Sequence, residues 1–121
     1  NTLTGGSGIY IERAYDGGVV SGNVLKDISG TAIQLDNIQN AAFIITDNVI
    51  DSVSSYGIYL ERVGTSSDTL VIRNNTIIGF RDGINCDGRW SNEITGNIIE
   101  TRNWGIYANN AQGDYLVEKI N

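Results

Sequence analysis

The sequence of 121 residues predicts an all-β fold, a right-handed parallel β-helix of about five coils with three strands per coil. Three observations carry the prediction. A pattern of small residue, Ile, any residue, apolar residue and acid returns along the chain, with its isoleucines at 9, 33, 58, 84 and 106 and with Asn109 in place of the acid in the last copy. Between those returns an asparagine stands before a short apolar run, at positions 23, 48, 75 and 97. The composition, with no proline, 15 glycines and abundant asparagine, suits short strands joined by tight turns rather than long helices.

The isoleucine landmarks are separated by 24, 25, 26 and 22 residues and the asparagine landmarks by 25, 27 and 22. Two landmarks that drift together define one repeating unit. Asn1-Thr2-Leu3 fits the asparagine slot one unit before Asn23. Within each unit the apolar residues alternate, as in Ile9/Ile11 and Ile58/Leu60, which is the period of a strand. A unit this short cannot bury its apolar face alone, whereas stacked units can.

The third unit shows the reading of one coil. Thr69–Arg73 is a strand, Asn74-Asn75 a turn, Thr76–Phe80 a second strand, Arg81-Asp82 a turn, and Gly83–Asp87 the third strand. Coils stack about 4.8 Å apart, so like residues meet. The predicted interior ladders are Ile9/Ile33/Ile58/Ile84/Ile106, Ile11/Leu35/Leu60/Cys86/Ala108 and Leu3/Leu25/Ile50/Ile77/Ile99. Cys86 is thereby a small core hydrophobe. The Asn23, Asn48, Asn75 and Asn97 amides face inward at a turn and bond one another from coil to coil, which satisfies groups otherwise buried unpaired. The variable segments Arg13–Gly18, Asn37–Ala41, Arg62–Asp68 and Gly88–Ser91 are the loops that absorb the changing repeat length.

Residues 1–121 thus read as a single β-helix segment. Neither end carries an amphipathic helix or other cap, and open solenoid ends expose strand edges. The expectation is a segment of a longer chain, or one covered by trimerisation or end-to-end stacking. At the close of the chain Glu118 falls where Ile45, Ile72 and Ile94 stand, so a one-residue slip in the last register is expected.

Charge and residue types exclude several functions. A formal charge of −6 and a pI near 4.3 argue against nucleic acid and against an anionic membrane surface, both of which recruit Lys and Arg. An acidic polysaccharide would be repelled unless a cation such as Ca²⁺ bridged it. No apolar run approaches the roughly 18 residues of a membrane span. A single cysteine allows no internal disulfide, and the absence of His excludes the common metal-ligand sets and every His-based acid–base mechanism.

The order of strand, Asn turn, strand, short turn, Gly-Ile-x-apolar-acid strand and long loop resembles the pectate-lyase-like superfamily, across essentially the whole chain. The resemblance implies three parallel sheets, an Asn ladder at the second turn, and a first sheet formed by the Gly-Ile-Tyr strands that floors a substrate groove. Members of that superfamily include pectate lyases, polygalacturonases, alginate epimerases and lyases, and phage tailspike depolymerases. Their reaction motifs are not matched. The His-Gly motif of polygalacturonases and the Asp-Pro-His motif of the epimerases need residues this chain lacks. Arg13, Arg62 and Arg89 follow first-sheet strands, as a pectate-lyase arginine would, without a surrounding motif.

Alternation turns two columns outward on that sheet. One is Tyr10, Gln34, Tyr59, Asn85 and Tyr107, and the other is Glu12, Asp36, Glu61, Asp87 and Asn109. Tyrosines offer flat apolar area with a hydroxyl, which suits pyranose faces. Tyr10, Tyr59 and Tyr107, bordered by Trp90, Trp104, Arg62 and Arg89, are the candidate substrate-binding residues. Tyrosine is also favoured in strands for its own sake.

The acidic column has three competing readings. It is a solvated face, or pairs among Glu12, Asp36, Glu61 and Asp87 hold Ca²⁺, or two carboxylates cleave a glycoside. Adjacent coils place carboxylates about 5 Å apart and alternate coils roughly 9 to 10 Å, near the retaining and inverting separations. The candidate catalytic residues are therefore Asp87 paired with Glu61 or with Asp36. Asp87 is favoured because Arg89 and Trp90 are close in sequence and can tune its pKa.

The expected function is a polysaccharide-binding and candidate polysaccharide-cleaving β-helix segment of an extracellular, secreted or virion-surface protein. It requires no cofactor, with Ca²⁺ the one candidate. The alternative is a structural spacer or surface fibre, since the same coils serve both uses.

Overall fold

The computed structural model describes residues 1–38, 42–62, 69–87, 91–109 and 115–117, and these form a β-solenoid. Three parallel sheets of five strands each run along the stack. The side sheet contains β1 (Thr2–Thr4), β4 (Val24–Ile28), β7 (Val49–Val53), β10 (Thr76–Gly79) and β13 (Ile98–Thr101). The front sheet contains β2 (Ile9–Glu12), β5 (Ile33–Asp36), β8 (Tyr56–Glu61), β11 (Asp82–Asp87) and β14 (Ile106–Asn109). The back sheet contains β3 (Gly18–Ser21), β6 (Phe43–Thr46), β9 (Thr69–Arg73), β12 (Ser91–Thr95) and β15 (Tyr115–Val117).

The register is the one the repeat predicts. Ile9, Ile33, Ile58, Ile84 and Ile106 pair in succession down the front sheet, as do Ile11, Leu35, Leu60, Cys86 and Ala108. Leu3, Leu25, Ile50, Ile77 and Ile99 do the same on the side sheet. Leu25, Ile50, Ile58, Leu60, Ile77 and Ile84 are wholly buried, and each such side chain contributes about 1.5–3 kcal/mol by leaving water. Val20, Ile45, Ile72 and Ile94 close the core from the back sheet. The expected slip at the end of the chain occurs: Val117, not Glu118, pairs with Ile94, which itself pairs with Ile72.

Two devices turn the chain between the side and back sheets. The residues just before the asparagines, Gly22, Asp47, Asn74 and Gly96, all adopt left-handed backbone conformations. These are the residue types that reach that region at low cost. The asparagines then form the ladder. Asn48 Oδ1 accepts from both the backbone N–H and the side-chain amide of Asn23, each at 3.0 Å. Asn48 in turn donates its backbone N–H to Asn75 Oδ1 at 3.0 Å and its side-chain amide at 2.9 Å, with a further side-chain bond to the Val20 carbonyl. Asn75 repeats this toward Asn97 and Ile45.

A small residue is required where the front sheet meets the side sheet. A Cβ on Gly57 would lie 2.5 Å from Ile77 Cγ2, so the isoleucine ladder of one sheet fills the space beside the glycine of the other. The side sheet also carries an irregularity that the repeat does not announce. Asp27 and Ser52 have positive φ and are skipped in the pairing, so that Ile28 and Val53 point inward. The register shifts again between Ile78 and Gly79, which has no such extra residue.

Candidate functional site

The outer face of the front sheet carries the predicted columns, but not as an evenly solvated strip. Asp36 is only 4% exposed. Arg62, one coil on, covers it: Nη2 lies 2.9 Å from each carboxylate oxygen and Nε lies 3.1 Å from Oδ1. From the other side the Tyr10 hydroxyl donates to Asp36 Oδ2 at 2.9 Å. Arg62 reaches back because it has a left-handed backbone conformation immediately after β8, as Arg13 and Asn37 do after β2 and β5. Burial pushes the Asp36 carboxyl up. The hydrogen bonds from Arg62 and Tyr10, with the charge of Arg62, outweigh it and hold the group below its ordinary value. The same bond to Asp36 raises the Tyr10 phenol.

The other acidic candidates differ from Asp36. Glu12 and Arg13 are exposed and 3.6 Å apart. Glu61 accepts a long 3.5 Å contact from Gln34 Nε2. Asp87 pairs with Glu61 and follows the front-sheet register through its backbone. The loop residues Arg89 and Trp90 lie outside the described residues. Among the described residues no three His, Cys, Asp or Glu come together as a metal-binding group.

The aromatic candidates gather toward the later coils. Tyr59 stacks on Tyr56, with ring centroids 4.8 Å apart. The Arg81 guanidinium lies over the Tyr56 ring at 4.9 Å, a cation–π contact. Trp104, 54% exposed, leans against Tyr107 at 5.9 Å. Between these rings is an open cleft of about 250 Å³ lined by Tyr56, Arg81, Asp82, Asn85, Asn103, Trp104 and Tyr107. Its floor is polar: Asn103 Nδ2 donates to Asp82 Oδ1 at 2.7 Å, the Trp104 N–H to the same oxygen at 3.2 Å, and Asn85 Nδ2 to Asp82 Oδ2 at 3.3 Å. Tyr10 lies far along the stack from this group, beside a second cleft of about 240 Å³ with Ser7, Ser29, Thr31 and Gln34.

Tyr107 and Trp104, both singled out by the sequence, are thus brought together, and Tyr59 adjoins them through Tyr56. Tyr56, Arg81, Asp82 and Asn103 were missed. They stand at the entry to the front-sheet strands, in the positions occupied by Ser7, Thr31, Tyr56, Asp82 and Trp104 and the residue ahead of each, with Tyr56 and Asp82 opening β8 and β11. Aligning those positions across the units gives the signal that would have found them.

A protein-family model, described as periplasmic copper-binding protein (NosD), matches residues 1–119. The chain belongs to the NosD family. No curated protein and no solved structure matches it. What this family and the pectate-lyase-like pattern have in common here is the parallel β-helix.

Copper is held in proteins chiefly by thiolate, thioether and imidazole donors. This member of the NosD family has no His and no Met, and its one cysteine is Cys86. That thiol is wholly buried in the core, and burial pushes its pKa up to about 12. The donors present do not fit a copper centre. Among the described residues no helix is long and apolar enough to cross a membrane.

Proposed function

We propose that the outer face of the front sheet binds neutral oligosaccharide or polysaccharide chains, with the Trp104 cleft as the anchoring subsite. The observation that carries this reading is the lining of that cleft. Tyr56, Trp104 and Tyr107 supply aromatic surface around the amides of Asn85 and Asn103. A sugar ring has apolar C–H faces and a rim of hydroxyls, and it needs both kinds of partner at once. The volume of about 250 Å³ suits one sugar unit of a chain that continues over the open face. The formal charge of −6 favours neutral sugars over uronates.

We read the face as binding rather than cleaving. A general acid must carry a proton at working pH. Asp36, held as a carboxylate by Arg62 and Tyr10, suits the role of a fixed anion that organises the surface. The family description supports placing the chain in the periplasm. Its copper property is left out of this reading because the donors do not fit.

A glycan-array screen followed by a reducing-end assay on each hit tests the proposal. The expected result is retention of neutral glycans without new reducing ends. Failure to retain any glycan overturns it. Cleavage abolished by Asp87→Asn or Glu61→Gln would overturn the non-catalytic part and restore the acidic pair as the working groups.

A further inference from the structure

Asp82 is the one carboxylate in the column Ser7, Thr31, Tyr56, Asp82 and Trp104. It is 3% exposed, and the donors around it, Asn85, Asn103 and the Trp104 N–H, are all neutral. Burying a carboxylate among neutral donors costs free energy that a hydroxyl there would not. The position therefore uses something a carboxylate offers: reach, and acceptor oxygens without a competing donor.

The backbone shows where that reach is used. β11 pairs with β14 only from Ile84 opposite Ile106 onward. Trp104 precedes that pairing. Its carbonyl accepts from the Gly83 N–H at 2.8 Å and from the Thr101 hydroxyl at 3.0 Å. Its N–H is taken by the Asp82 carboxylate. The same oxygen holds the Asn103 amide, and the Asn103 N–H is tied to the Arg81 carbonyl at 3.0 Å. Asp82 thus joins the two residues that form one wall of the cleft to the strand that forms its floor.

We propose that Asp82 is a positioning residue, whose carboxylate oxygen fixes the Asn103-Trp104 turn and so sets the indole against which a ligand stacks. This rests on the saccharide reading of the same cleft. The function of the group is to accept, not to carry charge or transfer a proton.

The test uses the full chain in a Trp90→Phe background, so that emission reports Trp104 alone. Asp82→Ala removes the acceptor, and Asp82→Thr, for use should the alanine variant not fold, leaves only a shorter hydroxyl without the carboxylate's reach. Threonine already occupies this column at Thr31. Two changes are expected without ligand: lower Trp104 anisotropy and a red-shifted emission. Affinity for an array-selected neutral oligosaccharide is expected to fall roughly tenfold, and no further when Trp104→Ala is added. Asp82→Asn keeps an oxygen for the Trp104 N–H and Asn103, and is expected to recover the emission and bring affinity back to within about threefold. Unchanged anisotropy and affinity in the threonine variant would overturn the proposal. So would an asparagine variant as damaged as the threonine one, because charge would then be the operative property. The saccharide reading fails separately, when Trp104→Ala binds as tightly as the parent; the ligand-free emission still decides the role of Asp82.

Discussion

Tyr10 and Asp36 belong to neighbouring coils, and the phenol of one donates to the carboxylate of the other at 2.9 Å while Arg62 takes both oxygens from the opposite side. An acidic column that ought to repel itself is thereby neutralised at Asp36, which is more buried than Glu12 or Glu61. The arrangement ties three successive coils together, β2 through Tyr10, β5 through Asp36 and the residue after β8 through Arg62.

A pH dependence follows. The folded-state pKa of Asp36 lies below its ordinary value of 3.8. Its contribution to stability is therefore complete above about pH 3.8 and is lost as pH falls through the lower folded value. Arg62→Ala removes the main opposing influence and leaves burial to push the carboxyl up. The acid-unfolding midpoint of that variant, followed by circular dichroism, is expected to move to higher pH. Asp36→Asn should flatten the acid limb below about pH 3.8 relative to the parent, on the order of the one-proton slope. A midpoint unmoved by Arg62→Ala would contradict the ion pair.

The asparagine ladder makes a sharper stability prediction. Asn75→Ala strips the acceptor from both the backbone N–H and the side-chain amide of Asn48, two buried donors. With each stranded donor worth about 1–3 kcal/mol, a loss of about 3 kcal/mol is expected in urea unfolding. Asn75→Asp keeps the acceptor oxygens but loses the donor to Asn97 and Ile45, and should also destabilise. A cost below about 1 kcal/mol for the alanine variant would show that the ladder amides find other partners.

Cys86 yields a chemical prediction and a metal prediction. With a pKa of about 12 only about one thiol in ten thousand is ionised at pH 8, and the group lies in the core. The native protein should resist a thiol reagent and react promptly in denaturant. Equilibrium dialysis against Cu(I) under reductant, and against Cu(II), should leave no stoichiometric metal on these 121 residues. Chelator-resistant copper at one equivalent, lost in Cys86→Ala, would contradict the account.

The ladders were legible in the sequence because a solenoid brings like positions together. Ile33 and Ile58 occupy the same wall of the core, so the chain repeats the residue whenever it repeats the wall. The asparagines were legible for the same reason, since an amide is useful only where another amide follows. The bulge at Asp27 and Ser52 was hidden, because an extra residue in left-handed conformation shifts Ile28 and Val53 without altering residue type. The burial of Asp36 was hidden because its cover comes from the preceding and following coils. The Trp104 cleft was half legible. Its aromatic members stand out, but Asp82 occupies a strand-entry column where Ser, Thr, Tyr and Trp also stand, so no period marks it.

The proposed role of the cleft at Trp104 is that of a sugar subsite. Calorimetric titration of the parent, Trp104→Ala and Phe80→Ala with one array-selected neutral oligosaccharide tests it most directly. Phe80 is equally exposed but lines a groove with Ile78 and Arg102 at the side sheet. Removing a stacked indole should cost about 1–2 kcal/mol, which is roughly five- to thirtyfold in affinity, while the Phe80 variant binds like the parent. Equal affinities for all three proteins, or no heat from any of them, would contradict the account and leave the solenoid as a structural spacer.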